Sequence, residues 1–201
     1  MSLPADYFAQ MYAGDDDPWG FRTRWYEQRK RAVTLAALDR PRYRRAFEPG
    51  CSVGVLTAGL AEGCDALLAS DVDPTAVVAA RAAVQAYAHV VVERRSVPED
   101  WPDGTFDLVV VSEVGYYLDQ RALRTLVDLV AASLEPGGAA LLCHWRHPVA
   151  DYPLTGDAVH AAFREHAALA GAVHHEEEDF VLDLLTAGTA PSPARREGLV
   201  S

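Results

Sequence analysis

Cysteine is scarce in this chain. The three present, Cys51, Cys64 and Cys143, are odd in number and far apart. That spacing excludes a disulfide framework and the paired ligands of a zinc site, and leaves free thiols in core or loop. Basic runs are short as well. Only Arg29-Lys30-Arg31 and the arginines between Arg40 and Arg45 cluster, against a net charge of −11. A protein that neutralises phosphates presents a basic face, so no nucleic-acid partner is expected. No apolar stretch approaches the roughly 20 residues that cross a bilayer. Met1-Ser2-Leu3-Pro4-Ala5-Asp6 lacks the parts of a signal peptide. A cytoplasmic protein without a membrane partner is the expectation, and the oligomeric state stays open.

What is present is a half-apolar chain of 201 residues, enough for one domain with a substantial core. Its organising stretch is Phe47-Glu48-Pro49-Gly50-Cys51-Ser52-Val53-Gly54, followed by the helix-like Val55 to Leu60. This reads as strand, glycine turn and helix. Glycine lets the backbone take turns closed to other residues and lets a ligand lie against it. The same spacing also serves plain helix–strand packing.

Around it, the spacing predicts strands at 45–48, 66–69, 89–93, 106–111 and 139–144. Helices are predicted at 53–62, 74–87, 119–134 and 157–169. Leu123, Leu126, Val127, Val130 and Leu134 recur at helical period, and Pro136-Gly137-Gly138 reads as the turn that stops that helix. Two further strands, 173–178 and 180–187, leave no room for a crossover helix and predict an antiparallel hairpin. The fold class is α/β, a doubly wound and mostly parallel seven-stranded sheet with an antiparallel C-terminal hairpin. One domain is expected over 1–187: a helical lid at 1–44, a core at 45–145, and a helix with hairpin at 146–187. The polar tail 188–201 reads as disordered.

In the amino-terminal part, Tyr7, Phe8, Met11 and Tyr12 share a helical face, broken by Asp15-Asp16-Asp17-Pro18-Trp19. Trp19, Trp25 and Tyr26 either fold over a pocket mouth or pack helices on the sheet. His144-Trp145-Arg146-His147 leaves strand five toward the same sheet edge. Such an exit does not bring His144 and His147 together on a metal, and His174-His175-Glu176-Glu177-Glu178 alternates faces on an edge strand. No metal site is expected.

Taken together, Glu48 to Gly54, Asp71-Val72-Asp73-Pro74, Asp103 to Val109 and Leu134 to Gly138 resemble, in order, the motifs of class I S-adenosylmethionine-dependent methyltransferases. Asp17-Pro18-Trp19, Trp25-Tyr26-Glu27 and Glu113-Val114 with Tyr116-Tyr117-Leu118 resemble the nodulation protein S branch, whose members N-methylate the deacetylated glucosamine end of chitooligosaccharides. The resemblance implies S-adenosylmethionine as cofactor and an amine or hydroxyl of a small molecule or saccharide, an amino sugar among them, as acceptor. It implies a cofactor site of Trp25, Tyr26, Glu48, Gly50, Cys51, Ser52, Gly54, Asp71, Val72, Asp73, Ser96, Val97, Glu113 and Val114. Asp71 would accept from the ribose hydroxyls and Glu48 would face the methionine ammonium.

The chain departs from that pattern at Ser52, where many members have glycine, and at Arg95-Ser96, where many carry an acid for the adenine amino group. On the acceptor side Glu113 and His144 are candidate bases, Tyr116 or Tyr117 a group to orient the acceptor, and Arg146 a group to bind an acid or sugar. Two other readings stand beside this one. A nicotinamide-dependent oxidoreductase calls for G-x-G-x-x-G, which Gly50-Cys51-Ser52-Val53-Gly54 does not supply. A non-catalytic binding module of the same fold would not need Glu48, Gly50 and Asp71 together.

Overall fold

A computed structural model describes residues 1–200. Two helices precede the sheet, α1 (Ala5–Gly14) and α2 (Trp25–Ala36). The chain then alternates through β1 (Ala46–Pro49), α3 (Val55–Ala61), β2 (Leu67–Asp71), α4 (Pro74–Ala83), β3 (Val90–Arg94) and β4 (Phe106–Ser112). A 3₁₀ turn at Gly115–Tyr117 leads to α5 (Gln120–Ser133), β5 (Leu134–Trp145), α6 (Gly156–Arg164), β6 (Leu169–Glu176), β7 (Phe180–Ala187) and a short α7 (Pro193–Arg196).

The seven strands lie in the order β3-β2-β1-β4-β5-β7-β6. β1 to β5 pair in parallel, and β7 runs antiparallel between β5 and β6. This is the doubly wound sheet with a terminal hairpin that the sequence predicts. The chain winds from β1 outward to β3, then returns to place β4 on the other side of β1. That reversal opens a crevice at the carboxyl ends of β1 and β4, where ligands of open α/β sheets bind.

Local chemistry explains the elements. Residues 106–111 of β4 are all buried, as suits a parallel strand covered on both faces. α5 buries Leu123, Leu126, Val127 and Val130 on the sheet, each worth roughly 1.5–3 kcal/mol of removed apolar surface. Asp119 caps α5 by accepting from the Arg121 and Ala122 N–H groups, and Asp73 caps α4 the same way. The Asp107 carboxylate accepts from the N–H groups of Arg44 and Arg45, both at 2.9 Å, and so fixes the start of β1.

Several boundaries differ from the sequence expectation. Pro136-Gly137-Gly138 does not end α5, because the helix already stops at Ser133. These residues bulge within β5, where Glu135 to Gly138 stand opposite Asp107 alone. Leu169 belongs to β6 rather than α6, since α6 closes at Arg164. The tail expected to be disordered contains α7, capped by Ser192 and tied to the body by Arg196 on Asp39 at 3.1 Å. Ser201 lies outside the described residues. Among the described residues no helix is long and apolar enough to cross a membrane.

Gly54 sets the approach of α3 to α4. Its φ is +77°, and a Cβ there would stand 2.7 Å from the Ala80 Cα. Left-handed backbone costs a non-glycine residue about 1–2 kcal/mol, and the blocked backbone contact adds to that. Gly54→Ala should therefore lower stability by about 2 kcal/mol or more. Urea melts check this, and wild-type stability would show that the two helices separate freely.

Candidate active site

The crevice at the β1–β4 reversal is a deep pocket, and its floor is the turn after β1. Gly50 takes φ +70°, and a Cβ on it would fall 2.1 Å from the Val114 Cγ2. No other residue fits there, so bare backbone forms the pocket wall at this point. Ser52, where glycine is frequent in the resembled pattern, is held left-handed at φ +48°. Its hydroxyl meets the Tyr12 hydroxyl at 2.6 Å, which ties α1 down over the turn.

Two carboxylates stand beside this turn. Asp71, at the end of β2, accepts from the Ser52 N–H at 2.9 Å and the Asp73 N–H at 3.0 Å, one on each oxygen. The carboxylate is thus aimed by backbone, with lone pairs left toward the pocket. Burial raises its pKa, and those N–H groups pull back against it. Glu48, at the end of β1, is buried and its Oε2 has no partner. Burial pushes its pKa up to about 8, with Asp71 adding to the rise and the nearby Thr57 hydroxyl, which is not placed well enough to bond Oε2, pulling back against it. The Cys51 thiol beside them is also pushed far up by burial, so it carries no thiolate.

Of the residues expected at a cofactor, the pocket takes in Glu48, Gly50, Cys51, Ser52, Asp71, Val72, Ser96, Val97, Glu113 and Val114. It does not take in four others. Gly54 faces Ala80 instead. Asp73 spends its side chain capping α4. Trp25 is largely exposed, because it opens α2 on the solvent face. Tyr26 points the other way around that helix and packs edge-on against Trp145. The aromatic cover comes from Phe8, Tyr12, Trp19 and Phe21. Trp19 stacks on Phe21 and meets Tyr12 edge-on, so these rings brace each other above the turn. Arg95 lines the pocket too, with its charge engaged by Glu93 and Asp100.

The acceptor-side expectations divide. Tyr117 lines the pocket, and its hydroxyl has a long 3.5 Å contact to the Tyr152 hydroxyl. Burial holds the phenol far above its usual pKa. Glu113 also lines the pocket, at a left-handed φ of +57°. Its oxygens are occupied by the Lys30 ammonium at 2.6 Å, by the Tyr116 hydroxyl, and by the Trp145 N–H at 3.1 Å. It serves as a fixed anion, not as an uncommitted base. His144 is fully buried and absent from the pocket wall. Its side chain lies on the β5 face covered by α6, so the expectation of a catalytic imidazole there is overturned. Burial, then the neighbouring His160 and Lys30, hold its pKa well below the usual histidine value. Arg146 is likewise taken up, by Asp157 and Glu176.

Sequence reasoning missed Glu27, Lys30, Arg31 and Thr34, which all enter the pocket from α2. Their spacing of three and four is the available signal, since it puts them on one helix face. Lys30 is buried between Glu27 at 2.9 Å and Glu113 at 2.6 Å. Burial alone would lower its pKa, but the two carboxylates outweigh it and raise the value. Burial also raises Glu27, against the pull of Lys30. Arg31 donates to the Phe21 carbonyl and, among the described residues, pairs with no carboxylate.

Removing one member of a buried pair leaves an uncompensated charge, which typically costs 3–5 kcal/mol. Lys30→Met should destabilise by about that much in urea melts. The double variant Lys30→Met/Glu113→Gln should recover part of the loss, because one stranded anion is then neutral. A single variant as stable as wild type would show that water reaches these carboxylates.

Comparison with known proteins places the chain among relatives of this fold. The family model described as Nodulation protein S (NodS) matches residues 9–151. Nodulation protein S of Sinorhizobium fredii is 34% identical over 125 residues, covering 61% of this chain and 58% of that protein. The match to the Rhizobium tropici protein covers 52% of its length, so the chain spans a little over half of the curated relatives it matches. Among solved structures, a Pseudomonas syringae protein classed as a methyltransferase is 47% identical, with a TM-score of 0.73 over 81% of this chain and 99% of that one. The N-methyltransferase NodS from Bradyrhizobium japonicum WM9, in complex with S-adenosyl-L-homocysteine, superposes with a TM-score of 0.82 over 92% of this chain and 98% of that one. At 24% identity, that last likeness shows the shared fold. With 143 of its 201 residues inside the family match, the chain belongs to the nodulation protein S family.

Proposed function

We propose that the chain is an S-adenosylmethionine-dependent methyltransferase whose acceptor is an amine or hydroxyl of a small molecule or saccharide, amino sugars included. The observation that carries this reading is the unpartnered Glu48 oxygen beside the bare backbone of Gly50. A buried acid with an orphaned oxygen calls for a cationic or donor ligand. The residues around it fit a nucleoside joined to an amino acid. Asp71 offers backbone-aimed lone pairs for two adjacent hydroxyls. Glu48 suits an ammonium, and Arg31 is the uncommitted cation on the same pocket for a carboxylate. Val72, Ser96 and Val97 provide the mixed surface for a purine. When bound, the cofactor supplies a methyl group already activated by its sulfonium.

The protein's task is then to align and to exclude water. α1, Trp19 and Phe21 cover the pocket. The Tyr117 phenol keeps its proton and can orient an acceptor lone pair. Glu27, both of whose oxygens meet Lys30, adds a second fixed anion beside Glu113 that favours an ammonium acceptor nearby. The family membership and the S-adenosyl-L-homocysteine complex of the Bradyrhizobium protein support the cofactor assignment.

Titration calorimetry with S-adenosyl-L-homocysteine tests the reading, and Asp71→Ala should weaken binding by about 1.5–3 kcal/mol while leaving the fold intact. No binding by the wild type would sink it. The acceptor is sought by methyl transfer across amino sugars, small amines and hydroxylated compounds.

Proton linkage gives a second check. Glu48 has a folded pKa raised to about 8, so it is mostly protonated at neutral pH. The raised value means that Glu48 withdraws stability as pH climbs from the ordinary carboxylate range through about 8. A bound ammonium favours the carboxylate, so binding near pH 7 should release a proton and affinity should rise toward about pH 8. Calorimetry in buffers of different ionisation enthalpy reads this release. Glu48→Gln should abolish it and bind more weakly. Equal proton release from the variant would assign the effect to another group.

A further inference from the structure

Beneath the pocket runs a chain of buried polar groups that the proposed chemistry does not use. The Gly115 N–H donates to the His144 Nε2 at 3.1 Å. A backbone N–H can only donate, so Nε2 carries no proton. In the neutral ring the proton is therefore on Nδ1, which lies 3.1 Å from the His160 Nε2. His160 must accept there, so its own proton is on Nδ1 and is donated to the Asp183 Oδ2 at 2.6 Å. The other Asp183 oxygen takes the His174 Nδ1 at 2.7 Å, at the rim of β6. Both histidines are fully buried and Asp183 nearly so. One backbone amide thus sets the protons of both His144 and His160.

The end of this line matters because of what Gly115 holds. It starts the 3₁₀ turn between Glu113, strained at φ +57°, and Tyr117, which lines the pocket. Val114, next to Gly115, is the side chain whose Cγ2 fills the space a Gly50 Cβ would take. The turn has little lateral room: a Cβ on Gly115 would lie 2.5 Å from the Val159 Cγ1 and 3.3 Å from the His144 Nε2. We propose that His144, His160 and Asp183 form a tautomer-fixed relay that holds the Glu113–Tyr117 turn in register, making His144 a positioning residue for the pocket. The proposal rests on the cofactor reading only for its affinity readout.

The charged and titratable groups facing the His144 ring are Lys30 from α2, Tyr116 from the turn and His160 from α6, with Asp183 of β7 behind His160. Lys30 and the desolvated site both disfavour an imidazolium, which would lose the Gly115 bond. Asp183 is kept ionised: burial opposes this, but the His160 and His174 donors, with the Arg164 guanidinium of α6 at 3.4 Å, prevail and hold its pKa low. A neutral ring between an amide donor and an anion-oriented neighbour is the state consistent with all of these groups.

Long-range ¹H–¹⁵N spectra of the full chain test this without any ligand. His144 and His160 should both appear as Nδ1–H tautomers, and the buried His144 ring should stay neutral between about pH 5.5 and 8. The Gly115 amide should exchange slowly with solvent. His144→Gln places an acceptor oxygen where Nε2 stood, so it should keep that slow exchange and bind S-adenosyl-L-homocysteine within about threefold of wild type. His144→Leu has similar bulk and no acceptor. It should speed Gly115 exchange and weaken binding at least about tenfold. An Nε2–H tautomer on either ring, an imidazolium forming on His144 in that pH range, or a leucine variant with wild-type exchange would overturn the proposal. A wild-type chain that binds no S-adenosyl-L-homocysteine would sink the cofactor reading instead, and the tautomers and Gly115 exchange would still decide the relay.

Discussion

The buried contact between Lys30 and Glu113 is the constraint on which the site depends. It joins α2, which precedes the sheet, to the turn leaving its central strand, at 2.6 Å. Each group would be costly to bury alone. Together with Glu27 they form a triplet that brings the α2 face carrying Arg31 and Thr34 to the pocket. The same carboxylate of Glu113 receives the Trp145 N–H and the Tyr116 hydroxyl, so the exits of β4 and β5 are locked to one anion. A helix that reads as an optional cover is in this way part of the wall.

Around that lock, the pocket separates two electrostatic regions. The turn after β1 carries two buried carboxylates, Asp71 aimed by two amides and Glu48 left short of one partner. The α2 side carries charges that largely satisfy each other. The first region is costly until something binds, the second is settled in advance. Sites commonly hold such locally unfavourable groups where the ligand will compensate them. On the α2 side of the pocket Arg31 is the exception, since among the described residues it pairs with no carboxylate.

The histidine readings show why side-chain identity alone misleads. His144 was a reasonable base by type and by its position near a strand exit. The side-chain alternation of β5 turns it under the sheet instead, against α6, where burial removes its charge. Trp25 and Tyr26 turn away from the pocket for the same reason of direction: one faces solvent and the other faces Trp145, while Trp19 and Phe21 line the pocket.

By itself the sequence determined what contiguous residues encode. Unbroken apolar runs and helical periods gave the sheet and its hairpin, and glycine at 50 with acids at 48 and 71 marked the turn that lines the pocket. These are local properties: a left-handed turn, a strand end and a cap each need only a few neighbouring residues. Tertiary structure decided what distant residues share. Lys30 meets Glu113 across 83 positions, and His160 meets Asp183 across 23. Whether a carboxylate is an available base or a spent anion depends on that pairing, and pairing follows from the angle at which helices dock, which no short stretch of chain specifies.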